Sequence, residues 1–185
     1  MTSAKLLFPF LLLSFLVLQG RAFDLGLPDR IIISPSVAKA NFLHLGRDLS
    51  LAVQGGAEWL HFSVQDGRMV PKISFGAPLV AACRKEFPDT IFDVKLGCIE
   101  PEHRIDDFVK AGANILSVHP ESTLQLGAVI HKIEEAGVVP GVVLNPGTSV
   151  SSVEHVLDGC QVAVVMLVSN FFYISGCSIE SKNFY

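Results

Sequence analysis

From Arg30 onward the sequence alternates short β-branched runs with helical patterns, one pair in about 25 residues, which is the rhythm of βα units closing a parallel sheet. The predicted strands are 30–34, 58–64, 91–96, 114–118, 139–144 and 162–167, and the predicted helices 42–54, 78–86, 104–111, 124–136 and 150–157. Three helices run into glycine before the next strand, as "GGA", "AGA" and "AGV", where a left-handed residue stops a helix sharply. No Gly-x-Gly-x-x-Gly follows the first strand. The pattern therefore points to a singly wound (β/α)8 TIM barrel rather than a doubly wound sheet. In such a barrel the chemistry sits at the strand C-terminal ends, here "SPS", "HFSVQDG", "DVKLG", "SVHPES" and "LNPGT".

The 185 residues are half apolar and 17% charged, enough to bury the core of one domain. A formal net charge of −4, with no basic cluster longer than Arg84-Lys85, excludes a general nucleic-acid binder. An anionic ligand would have to be met by local donors. Cys83, Cys98, Cys160 and Cys177 show no Cys-x-x-Cys spacing and read as unpaired thiols rather than a disulfide frame or a zinc site.

Residues 1–22 have a different character. Lys5 supplies a small positive start, the apolar run from Leu6 to Leu18 is broken by Pro9 and Ser14, and Gly20-Arg21-Ala22 forms a small-x-small cleavage site. That pattern reads as a signal peptide rather than a membrane anchor, being too short to span a bilayer, so the processed chain is expected to have no stable membrane insertion. "GRAF" resembles the Ala-Phe junction of bipartite leaders in algae with complex plastids, while the acids of "FDLGLPDR" (23–29 with Arg30) suit plain secretion. Secretory targeting, to a complex plastid or out of the cell, is the expectation.

The blocks "ISPSVAKANFLHLG", "WLHFSVQDGRMVPKISFG", "FDVKLGCIEPEHRIDDFVKAGANILSVHPES" and "AGVVPGVVLNPGTSVSSVEHVL" resemble successive blocks of ribulose-phosphate 3-epimerase, over a barrel domain of 30–168. The resemblance implies an isomerase of the pentose phosphate pathway that interconverts D-ribulose 5-phosphate and D-xylulose 5-phosphate. It also implies a divalent metal (Zn, Fe, Mn or Co) held by two His and two Asp, with one Asp taking the C3 proton and the other returning it. Ser36 falls on a substrate-binding Ser and His61 on a metal His. Ser63 falls on the first catalytic Asp, Gln65 on a substrate-contacting Met, and Lys95 on the second metal His, where Lys95 is also a candidate substrate contact. The second catalytic Asp and the phosphate loops belong to strands seven and eight.

The frame of the site is thus kept while its working groups are exchanged. Asp66, opening an Asp-Gly turn, and Asp93, matching a family Asp, read as structural rather than as replacement bases. His119 reads as a loop histidine and His155 as a solvated helix position. "Asp-x-Lys" at Asp93–Lys95 is similar to phosphosugar decarboxylase barrels, but Leu96, Gly97 and Cys98 follow where that pattern wants a second Asp. The resemblance fades abruptly after Val168. Val-Ser is what a splice donor GTA-AGT or GTG-AGT encodes, so 169–185 reads as translated intron and the barrel as incomplete after about strand six. The expectation is an epimerase-family chain with weak metal binding and impaired turnover, or an inactive relative kept for binding. Its partners would be a small phosphorylated sugar and, through open sheet edges, further copies of itself or an intact barrel.

Overall fold

The computed structural model describes residues 30–167. The predicted leader 1–22, the segment 23–29, Val168, the tail 169–185 and Cys177 lie outside the described residues. Five parallel strands form one sheet: β1 (Trp59–Gln65), β2 (Ile91–Gly97), β3 (Ile115–Val118), β4 (Val139–Leu144) and β5 (Val162–Val165). Each pairs with the next in sequence, in the order β1-β2-β3-β4-β5. A doubly wound sheet would reverse that order; a barrel wall does not. Between them lie α1 (Leu45–Gln54), α2 (Ala77–Glu86), α3 (Ile105–Lys110) and α4 (Leu126–Glu135). The expected glycine stops follow α1, α3 and α4, with Gly56 at φ 100°, Gly112 at φ 93° and Gly137 at φ 75°.

Two predicted elements differ. Residues 30–34 do not form a ladder strand. The segment runs extended beside β1 and accepts bonds from it, Trp59 N to Ile33 O and His61 N to Pro35 O, with a single parallel bridge from Ser36 to His61. Pro35 has no N–H to return, which interrupts the ladder where it would form. Residues 150–157 do not form an α-helix but two 3-10 pieces, Val150–Ser152 and Glu154–Gly159. There the Ser149 hydroxyl accepts from Ser151 N–H and the Ser152 hydroxyl donates to Ser149 O. Local side-chain bonding of this kind competes with the α-helical ladder.

Alternation along the strands separates two apolar clusters. Leu60, Phe62, Val64, Phe92, Val94, Leu96, Leu116, Val118 and Val142 face the helices and pack with Val80, Phe108, Val129 and Ile133. On the opposite face Trp59, Ile115, Val139, Val143, Val162, Val164 and Met166 pack together, with Ile32 and Ile91 at the edge. This second face is the inner wall. Each fully buried large apolar side chain contributes about 1.5–3 kcal/mol relative to exposure, so both faces anchor the strands.

The wall is fastened at its helix side by Arg84 of α2. Its guanidinium lies 3.7 Å from the Phe92 ring centroid. It donates to the carbonyls of Phe87 at 2.8 Å, Thr90 at 2.8 Å and Gly112 at 2.8 Å, and to Asn114 Oδ1 at 2.6 Å. The basic pair noted in the sequence is therefore half a structural clamp, with Lys85 exposed beside it. Cys83, Cys98 and Cys160 are free and buried, and burial pushes the Cys98 thiol up to about 11 and the Cys160 thiol up to about 12. They are inert at neutral pH. Among the described residues no helix is long and apolar enough to cross a membrane.

Candidate active site

Towards the C-terminal ends of the strands the inner wall turns polar. His61 of β1 stands opposite Asp93 of β2, and one step further Ser63, Lys95, Ser117 and Gly141 form a row across four strands. His119 follows Ser117 on the same side of the chain, just past β3. His61, Asp93, Lys95, Ser117 and His119 are all buried. A period-two strand puts these polar groups on one face because they sit two residues apart.

Asp93 Oδ2 lies 2.6 Å from His61 Nδ1, and His61 Nε2 lies 3.2 Å from the Ser63 hydroxyl. With Nδ1–H donating to the carboxylate, Nε2 carries the lone pair and accepts from Ser63. A carboxylate behind an imidazole in this way fixes the tautomer and the ring plane. Asp93 thus orients His61 through Oδ2. Asp66 braces the turn after β1: its Oδ1 accepts from the backbone N–H groups of Arg68 at 2.9 Å and Met69 at 3.0 Å while Oδ2 accepts from Ile99 N–H at 2.9 Å. These bonds hold its carboxyl below the usual range against the opposing effect of burial. Gln65 is buried at the end of β1, its backbone tied to Ser74. Ser36 sits at the bridge to His61, beside the cluster.

Lys95 is only 2% exposed, and its ammonium donates to the Met166 sulfur at 3.8 Å. Burial pulls it down to about 8, with Asp93 acting in the opposite direction, so it remains mostly protonated at pH 7. His119 is fully buried and neither ring nitrogen has a hydrogen-bond partner among the described residues. Burial, reinforced by the Lys95 ammonium, pushes its imidazole down to about 4. His119 lies in the connection just past β3, as expected of a loop histidine, but it is buried there beside the inner wall. His155 is exposed as expected. Ser117 is the polar residue of this wall that the motifs do not single out, although "ILSVH" carries its signal, with Ser117 and His119 two residues apart at the end of an apolar strand.

A metal of the kind the resemblance implies needs three or four N, S or O donors. The candidate positions offer one imidazole nitrogen, one hydroxyl and an ammonium. Among the described residues no three His, Cys, Asp or Glu side chains are grouped so as to hold a metal ion. A protonated amine in the second ligand position repels a dication. The residues present do not fit the group.

Comparison with known proteins bears on this wall as a whole. The chain is 44% identical over 144 residues to the chloroplastic ribulose-5-phosphate-3-epimerase of Arabidopsis thaliana, which is 77% of this chain and 51% of that protein. It is 42% identical over 142 residues to the ribulose-phosphate 3-epimerase of Bacillus subtilis, 77% of this chain and 65% of that one. The chain therefore spans about half the length of the Arabidopsis relative and just under two thirds of the bacterial one. Among solved structures, a 3-keto-L-gulonate-6-phosphate decarboxylase from Vibrio cholerae superposes with a TM-score of 0.54 at 12% identity, over 69% of this chain and 58% of that one. A tryptophan synthase alpha chain from Legionella pneumophila gives 0.50 at 14%, over 74% and 60%. These two likenesses are of fold alone. The sequence model of the ribulose-phosphate 3 epimerase family matches residues 32–172, and the chain belongs to that family.

Proposed function

We propose that the chain handles a pentulose 5-phosphate, of the kind interconverted between D-ribulose 5-phosphate and D-xylulose 5-phosphate, and that it turns this pair over far more slowly than an intact epimerase. The family match across the inner wall supports the substrate class. One observation carries the second half: Ser63 stands where the resemblance puts the first proton-taking carboxylate. Asp66 is occupied by three backbone N–H groups, and Asp93 is engaged through Oδ2 in orienting His61. Neither carboxylate stands where the resemblance puts the proton-taking Asp, and a positioned base of that kind is worth about 10²–10⁴ in rate.

The same observation favours a second reading, a relative that binds the sugar phosphate or associates with an intact barrel without turnover. A decarboxylase reading is weaker, because "Asp-x-Lys" is followed by Leu96, Gly97 and Cys98. The test is a coupled assay of D-ribulose 5-phosphate epimerisation on protein made in a host lacking its own epimerase. The expected kcat/KM is at least about a hundredfold below that of the Bacillus subtilis relative. A value within a hundredfold of it overturns the proposal.

A further inference from the structure

Four polar groups on the inner wall are buried without hydrogen-bond partners among the described residues: Ser117 Oγ, both ring nitrogens of His119, and Asp93 Oδ1. A fifth, the Lys95 ammonium, has the Met166 thioether as its hydrogen-bond acceptor at 3.8 Å. A thioether is a weak acceptor, and a buried ammonium normally keeps oxygen around it. Native proteins leave few such groups unmet, so their concentration around one lysine marks a place where something else is held. Strand register brings them together, because Lys95 stands beside Ser117 and His119 follows on the same side. Gly141 completes the row without a side chain: a Cβ there would lie 2.4 Å from Ser117 Oγ.

We propose that Lys95, Ser117, His119 and Asp93 Oδ1 form a metal-free site for the hydroxyketone end of a sugar phosphate, the ammonium standing in place of a divalent cation. The claim rests on the reading of the ligand as a pentulose 5-phosphate. The donor set selects the end of the molecule. One ammonium beside the Asp93 carboxylate is a poor host for a dianionic phosphate, whereas a ketone oxygen takes a single cationic donor and adjacent hydroxyls give and accept hydrogen bonds. His119 suits a neutral polyol, since it stays uncharged at neutral pH and offers one N–H and one lone pair. Charge on the ketone oxygen would be met by the ammonium, a point charge on a flexible stem.

The experiment is calorimetric titration of the full chain with D-ribulose 5-phosphate in EDTA, repeated with added Zn²⁺, for the wild type and for Lys95→Met and Ser117→Ala. Thermal unfolding of each variant checks its fold, and Lys95→Met removes a buried charge rather than creating one. Binding in EDTA that weakens at least about tenfold in Lys95→Met, with a smaller loss in Ser117→Ala, is the expected result. Binding that appears only with Zn²⁺, or that is unchanged in folded Lys95→Met, overturns this inference while leaving the substrate class standing. No binding under either condition overturns the substrate class and the inference together.

Discussion

A buried imidazole that stays neutral makes folding sensitive to acid, and His119 is such a group. Its pKa is about 4 in the fold against 6.5 when free. Between those values the unfolded chain binds the proton and the folded chain does not, so stability falls as pH drops from about 6.5 to about 4 and is fully present above that window. At 1.36 kcal/mol per unit, the loss from pH 7 to pH 4.5 is about 2–3 kcal/mol. Urea unfolding of wild type and His119→Leu at the two pH values checks this: the variant should lose about 2–3 kcal/mol less than the wild type. Equal losses would show that the ring is not held neutral. The residue itself was only half legible. "SVHPES" suggests a loop, and only the pairing of Ser117 with Lys95 shows that the chain just before His119 runs beside that ammonium. A sequence gives the period of a strand, not which of its faces meets a neighbour's charge.

Among the elements, α2 is fastened through one side chain that serves several partners. Its Arg84 satisfies carbonyls in the α2–β2 connection and at the Gly112 turn that ends α3, so one side chain ties two βα units together. Removing it leaves those carbonyls and Asn114 Oδ1 short of a donor and uncovers the Phe92 ring. Arg84→Ala is expected to destabilise by about 2–4 kcal/mol, against less than about 0.5 kcal/mol for the exposed neighbour Lys85→Ala. Chemical denaturation of the two variants measures both, and equal small effects would remove Arg84 from the clamp. Most elements were legible because glycines after α1, α3 and α4 and apolar runs in β1 to β5 agree with one another. The exceptions have local causes. Pro35 denies the first segment its ladder, and the hydroxyls of Ser149 and Ser152 hold the last predicted helix in 3-10 turns.

At the scale of the molecule, a wall of five parallel strands presents one apolar face to the helices and one face that turns polar at the strand C-terminal ends. The sequence blocks identified that wall and its family, and the structure has His61 and Ser63 on β1 and Lys95 on β2. They did not reveal that Ser63 and Asp93 bracket the His61 ring, or that Lys95 is surrounded by unmet polar groups, since both facts depend on the pairing of β1 with β2 and of β2 with β3. The whole account turns on an ammonium standing where the family's resemblance places a metal ligand. Zinc binding tests that most directly. The full chain, saturated with Zn²⁺ and then desalted, should retain well under one equivalent by elemental analysis, whereas Ser63→Asp combined with Lys95→His should retain more, because the pair restores two donors beside His61. Close to one equivalent held by the wild type, and lost in His61→Ala, would contradict the account.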